Sequence, residues 1–468
     1  MLSSVFISQR RKARALPFLA WVCAVAASYG QRPETSGTFP EDYLPALKPI
    51  LATALRQSPQ MIAKQLELEQ STLKVMGANS LRLPSLGGNL TFASNETSIS
   101  SNNSTKTRDN GVFYNFALNQ SIYHWGALKN EGDKARIGVL ISQKSYAEAS
   151  RTLAVTLRRS YLELIVKKSL LRQMRFAREL NVAELKLAKE KLESGLFSPA
   201  DIAGRELNMS DETLRVRRAE VELAALRRSF ARLAGIGDLS EDAIPAEIPA
   251  LAYDAAVASA MLAAVVRDQG RQTYQAQVSE LKVREADLDY RIARVRLLPK
   301  FGASVGYSLE NTTNASATTV SQQGVARQTI AVGAQWNIFD GFASRAAKRA
   351  ALVTKRGAEL ELKTASEAAV DAAQALMQQL ELDVQAMEMS ALRFGLASEE
   401  LKKVGKEFKL GNVPQTAVDQ TTSGLKVMEF QNANARATFL ARWSEFASLV
   451  GADPVLTQLP ARHDSEKR

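Results

Sequence analysis

Residues 126–193 contain no proline, and their glycines, Gly126, Gly132 and Gly138, stand near the start. Leu157, Tyr161, Leu164, Leu171 and Met174 recur at helical spacing, with Val166 and Leu170 forming a second apolar side. At ~1.5 Å per residue, a helix of this length extends roughly 100 Å. No globular core contains such a rod, so the segment requires coiled-coil-like packing against neighbours of similar length. Residues 342–410 repeat the pattern, again without proline. There Ala343, Ala347, Ala350 and Ala351, then Ala365, Ala368, Ala369, Ala372 and Ala373, either permit close helix approach or reflect helix propensity alone.

The recurrence is a tandem duplication. Ile122-Tyr123-His124-Trp125 corresponds to Ile338-Phe339-Asp340-Gly341, a shift of 216 positions. Gly195 matches Gly411, and Leu233-Ala234-Gly235 matches Leu449-Val450-Gly451, at the same shift. Leu83-Pro84 likewise corresponds to Leu298-Pro299. Internal repetition at a fixed offset implies one structural unit used twice. Each unit reads as helix, two strands joined by a polar loop, very long helix, turn, shorter helix. The expected organisation is a signal over 1–26, repeats over 27–237 and 255–451, a linker over 238–254 and a tail over 452–468. The linker reads equally as ordered or flexible. At the first turn, Gly195 ends a helix, Ser198 caps the next and Pro199 takes its first position. Gly411 and Pro414 are expected to repeat that logic. The returning helix and the helix before Pro84 together match the long helix in length, so they are expected to stack end to end beside it.

Period-two alternation marks the strands. Over 112–124, Val112, Tyr114, Phe116, Leu118 and Ile122 oppose Asn115, Ala117, Asn119 and Ser121. Over 328–338, Ile330, Val332, Ala334, Trp336 and Ile338 oppose Thr329, Gly333, Gln335 and Asn337. Leu86, Leu90 and Phe92, and then Phe301, Val305 and Tyr307, alternate in the same way. Each segment is near the ~9–11 residues that a tilted membrane strand needs. The stretches 94–111 and 311–328 are rich in Ser, Thr and Asn and read as loops. Tyr123, Trp125, Trp336 and Phe339 gather where strands meet helices, as an interfacial aromatic girdle does. Backbone groups in lipid must all be paired, so such strands close into a barrel. Four are too few, the smallest barrels having about eight. The membrane reading therefore requires an oligomer.

Several classes of chemistry are excluded. No run of ~20 apolar residues lies in the body of the chain, so no transmembrane helix is expected. Arg10, Arg11, Lys12 and Arg14 precede an apolar stretch over 15–27 that ends in Ala24-Val25-Ala26, the order of a secretory signal. Cys23, the single cysteine, lies inside that stretch, and Val22 before it is too large for a lipoprotein signal. Removal of the signal leaves no thiol chemistry. His124 and His463 stand alone, so a metal site or cofactor is not expected. The net charge of +11 falls to +7 without the signal's four basic residues, and it is spread among acids along the helices, unlike a nucleic-acid groove. No phosphate-binding glycine loop and no Ser/His/Asp constellation points to an enzyme.

Taken together, the strand ends (Ile122 to Gly126, Ile338 to Gly341), the two glycine-centred tips, the duplication and the signal resemble the TolC-like outer-membrane efflux family. The resemblance implies a mainly α fold with β: a homotrimer whose four strands per chain make a twelve-stranded transmembrane barrel. Twelve antiparallel helices continue it as a periplasmic tunnel. It also implies an exit duct in outer-membrane lipid, fed through a periplasmic adaptor protein by an inner-membrane RND, ABC or MFS pump. Type I protein or peptide secretion is an alternative, and a non-conducting periplasmic coiled-coil scaffold is another. By resemblance the adaptor-contacting tips are Ser194, Gly195 and Leu196, then Leu410, Gly411 and Asn412. Candidates for the periplasmic entrance are Asp201, Ala417, Asp419 and Gln420. Some family members carry aspartates where Ala417 and Gln420 stand, so a family-type acidic ring is not repeated at these positions.

Overall fold

The computed structural model describes residues 39–99, 105–315 and 319–457. The expected signal with Cys23, and the end of the tail with His463, lie outside the described residues. The elements run α1 (Pro40–Tyr43), α2 (Leu47–Gln57), α3 (Pro59–Ser80), β1 (Ser85–Ile99), β2 (Thr105–Tyr123), α4 (Ala127–Glu193) and α5 (Pro199–Ala234). Then follow α6 (Ala255–Arg267), α7 (Tyr274–Arg294), β3 (Lys300–Ala315), β4 (Val320–Gln335), α8 (Ala343–Lys409), α9 (Gln415–Leu449) and a 3₁₀ turn (Pro454–Thr457). Helices α4 and α8 are each 67 residues long, about 100 Å at the helical rise. None of the described helices is long and apolar enough to cross a membrane.

Helix α4 packs on α3 and α5 along one side and on α7 and α9 along the other, while α8 packs on α7 and α9. The helices thus form four columns: α3 with α5, α4, α7 with α9, and α8. End-to-end stacking is visible at Gly235, which closes α5 at φ +66°. A Cβ there would stand 2.7 Å from the carbonyl oxygen of Gln57, at the α2–α3 break.

The core sits around the middle of α4. Leu153, Leu157, Tyr161, Leu164 and Leu171 are buried there against Leu47 and Leu51, Phe230, and Leu440, Trp443 and Phe446. Each such side chain contributes about 1.5–3 kcal/mol by leaving water. The segment between the repeats is anchored. Leu239, Ile244 and Ile248 are buried, and the Lys168 ammonium donates to the carbonyls of Glu241 and Ile244 at 2.7 Å.

Three expectations are corrected. First, the helix before each strand pair is broken. Pro59 starts α3 where it cannot donate to α2, and the α6–α7 turn holds Gln269 and Gly270 at φ +54° and +70°. Second, most of the polar stretches expected to be loops are strand. Ser94 pairs with Asn110 and Asn311 with Gly324, so the ladders run 15 to 19 residues per strand. Alternation signals a half-buried strand, and these ends are polar on both faces. Third, β2 and β4 stop at Tyr123 and Gln335, short of the expected 124 and 338.

Candidate functional site

The four strands form one antiparallel sheet in the order β1-β2-β3-β4, and the register sorts their side chains onto two faces. One carries the pairs Leu86↔Leu118, Phe116↔Tyr307 and Val305↔Ile330. The other carries Asn89↔Asn115, Asn119↔Ser304 and Gly306↔Thr329. In one chain the apolar face lies open: Leu86 is 73%, Phe92 72% and Ile330 83% exposed. An apolar patch of this extent marks a surface meant for lipid or protein. It covers the lower part of each strand; above Phe92, Val112 and Leu309 polar residues predominate on both faces.

At the foot of the sheet the two repeats make matching devices. The Trp336 indole donates to the Leu297 carbonyl at 3.0 Å, and in the first repeat Gln120 donates to the Arg82 carbonyl, also at 3.0 Å. Trp125 and Gly126 have φ +55° and +80°; their counterparts Gly341 and Phe342 have +61° and +67°. Two successive left-handed residues thus turn each strand into its long helix, and for Trp125 and Phe342 that conformation costs about 1–3 kcal/mol each. The expected girdle residues meet here in two groups. The Tyr123 ring meets those of Trp125 and Phe301 at a tilt, with centroids 5.1 and 6.5 Å away, and the Trp125 indole donates to the Pro299 carbonyl at 2.7 Å. Phe339 meets Phe342 edge-on at 5.4 Å.

At the far ends of α4 and α8, Gly195 and Gly411 close the helices at φ +76° and +78°. Leu196 and Leu410 project into solvent beside them, 73% and 75% exposed. Ser194 folds its hydroxyl back onto the Glu190 and Lys191 carbonyls at 3.1 Å, and Asn412 donates its N–H to the Glu407 carbonyl at 3.0 Å. The first tip is a capping box: the Ser198 N–H and hydroxyl donate to the Asp201 carboxylate at 3.0 and 2.7 Å, and the Asp201 N–H donates to the Ser198 hydroxyl at 3.3 Å. These bonds, the hydroxyl first, hold the Asp201 carboxyl below its ordinary pKa. In this geometry Asp201 is engaged by its own helix.

The second tip does not repeat that logic. Pro414 is its N-cap and makes no side-chain bond, and Ala417 stands where the box needs a carboxylate. Asp419 accepts from the Gln415 amide at 2.8 Å, one helical turn away, and Gln420 is exposed. Sequence reasoning missed Phe197, whose ring lies 5.5 Å from both the Lys191 ammonium and the Arg205 guanidinium. Its counterpart in the second tip, Val413, lacks an aromatic face. Among the described residues no group of three or more His, Cys, Asp or Glu could hold a metal ion.

Comparison with known proteins bears on this arrangement directly. The chain matches the outer membrane efflux protein family over residues 50–235 and 271–452, one segment in each repeat. It belongs to that family. The outer membrane channel CmeC of Campylobacter jejuni is similar at TM-score 0.69 and 13% identity, over 97% of this chain and 96% of that one. The MtrE outer membrane channel of Neisseria gonorrhoeae, in its open state, is similar at 0.63 and 15%, over 87% and 89%. The outer membrane protein VceC of Vibrio cholerae is similar at 0.59 and 13%, over 89% and 98%. No curated protein matches at a significant level.

As a member of the outer membrane efflux protein family, the chain is an outer-membrane channel protein that extends into the periplasm. Family members are channels, not enzymes. One further residue escaped sequence reasoning. Arg158 lies among the apolar positions of α4 and is wholly buried, bound to Glu41, Ser444 and Asp453. Its only signal was a cation inside an apolar run.

Proposed function

We propose that three copies of this chain close a barrel and tunnel that serve as the passive exit duct of a tripartite efflux system. The observation that carries this reading is the sheet with two unpaired edges, β1 and β4, beneath an apolar face. Backbone groups facing lipid must be paired, so each edge requires a partner strand. In this reading β4 of one protomer pairs with β1 of the next, and three four-stranded sheets give twelve strands.

The outer helix columns support the same closure. On α5, Leu207, Leu214 and Val221 are exposed at seven-residue spacing; on α8, Val353 and Leu360, then Leu382, Met389 and Leu396, repeat it. Such seams bury themselves in coiled-coil contacts. The α5 column stands on the β1 side and α8 on the β4 side, so one rotation would mate strands and helices together.

In the duct, the polar face of Asn89, Asn115, Asn119 and Ser304 lines a water-filled bore. No bond is made or broken, and energy is supplied by an inner-membrane pump working through an adaptor. Leu196 and Leu410, exposed beside their glycines, are the apolar knobs offered to that adaptor. Ser194, Gly195, Gly411 and Asn412 shape the turns that present them. The test is a cell lacking its own efflux channel, supplied with this chain and a cognate adaptor and pump. Restored resistance to toxic small molecules supports the duct. Restored secretion of a protein without resistance redirects it to type I secretion. A soluble, non-conducting product would sink both.

A further inference from the structure

We propose that the strand–helix junction is a binding collar for anionic glycerophospholipids of the periplasmic leaflet. The apolar face of the sheet ends at Tyr123, Phe301 and Trp336, so the headgroup layer falls where the strands give way to helices. In that layer stand Arg82, Arg294, Arg296, Arg345, Lys348 and Arg349, all exposed. None of the six forms an ion pair with any described residue.

Backbone contacts bring two of the connecting segments up to the apolar face of the sheet. Gln120, on the strand face that carries Leu118, holds the Arg82 carbonyl, and Trp336 holds the Leu297 carbonyl next to Arg296. Arg345, Lys348 and Arg349 follow directly on the Phe339–Phe342 pair.

Nearby acids are already committed. Asp289 is paired with Lys134, Asp133 with Arg136, and Asp287 with Lys355 and Arg291. Glu131 and Glu285 act on Lys134. Asp340 accepts from the N–H and hydroxyl of Ser344 and lies in the field of Arg296.

The cations are also misplaced for the helix that carries them. Three fall in the first two turns of α8, where there is no acid in the first turn and the helix dipole is positive. Asp340 meets the dipole through the Ser344 N–H, and Arg345 in the same turn adds a positive charge that a further anion offsets. A phosphodiester headgroup supplies the charge, its acyl chains continue onto the apolar strands, and long basic side chains reach the headgroup level from such positions.

This inference uses the membrane placement of the sheet and nothing about cargo. The test takes the full-length protein, purified in detergent, stripped of lipid and reconstituted in vesicles of phosphatidylethanolamine with a minority of phosphatidylglycerol. After re-extraction, retained lipid is quantified by mass spectrometry. Wild type is expected to retain phosphatidylglycerol well above its bulk proportion, and high salt should reduce the enrichment. Combining Arg294→Gln, Arg296→Gln, Arg345→Gln and Arg349→Gln should cut it about tenfold or more. Lys402→Gln with Lys403→Gln, far along α8, should leave it unchanged. Retention by wild type at the bulk ratio, or an enrichment indifferent to salt, would overturn the proposal even if the fourfold variant failed to assemble. Conductance measured on the same vesicles separates the two readings: a conducting channel without enrichment removes the collar alone, and enrichment without conductance removes the duct alone.

Discussion

Arg158 and Asp453 lie 295 residues apart in sequence and form an ion pair in which neither side chain has any solvent exposure. Glu41 completes a triad on the same guanidinium, at 2.9 Å from its Nε, and the Phe39 ring lies 4.7 Å from its centre. One cation in the middle of α4 thus gathers the first described helix and the segment after the last one. Burial opposes the charge, yet the hydrogen bonds and charges of Asp453 and Glu41 hold Arg158 above its ordinary pKa.

Removing one partner of a buried pair strands the other charges. Arg158→Met should therefore destabilise the protein by about 3–5 kcal/mol. Adding Glu41→Gln and Asp453→Asn should recover much of that loss, because no unpaired charge then remains buried. Protease resistance of the membrane-inserted protein against temperature reads both effects. Equal stability of Arg158→Met and wild type would show that the triad does not hold the termini.

Gly270 turns α6 into α7 at φ +70°, and a Cβ there would stand 2.6 Å from the Ser366 carbonyl oxygen. Gly270→Ala should cost about 1–3 kcal/mol from backbone strain, before any displacement of α8. Gly424→Ala, within α9 with no atom within 4 Å of its Cβ, should be neutral or gain up to about 1 kcal/mol. The two unfolding temperatures should move in opposite directions or differ clearly.

The capping box makes the first tip sensitive to acid. Asp201 has its folded pKa lowered by the Ser198 hydroxyl and N–H, so its contribution is present above the unfolded value of about 4 and is lost as pH falls through the folded value. Amide exchange at Asp201, corrected for the intrinsic rate, should lose protection below pH ~4. The amide of Ala417 at the other tip, which has no such carboxylate, should show no matching transition. A flat profile at Asp201 would remove the box from the account.

Exposed leucines at the tips are inert for folding but central to docking in the duct reading. Leu196→Glu combined with Leu410→Glu should leave the channel inserted and stable to within ~0.5 kcal/mol. It should abolish cross-linking to the adaptor and the resistance that depends on it. Undiminished resistance would place the adaptor contact elsewhere.

Long elements were legible in the sequence because they depend on local signals. The absence of proline set α4 and α8, and Gly195 and Gly411 set their ends. What escaped notice depends on distance or on lost alternation. Over 94–99 and 105–111 the sequence is polar at nearly every position, so no hydrophobic period marks them as strand, although their ladder is continuous with the apolar part. Arg158 was not singled out in the sequence because its partners are 117 and 295 residues away. The asymmetry of the tips was half visible: the missing carboxylate at Ala417 was read from the sequence, but not the two cation–aromatic contacts on Phe197.

The central claim is that β1 of one protomer pairs with β4 of the next to close the barrel. In a Cys23→Ser background, which leaves no other thiol in the chain, Asn89→Cys on β1 can be combined in turn with single cysteines from Ala326 to Val332 on β4. Oxidation in intact outer membranes, followed by denaturing electrophoresis, reads the contact. The account predicts that positions on one face of β4 yield cross-linked dimers and trimers, with no covalent species larger than a trimer. Monomers at every position, or an open ladder of larger species, would contradict it.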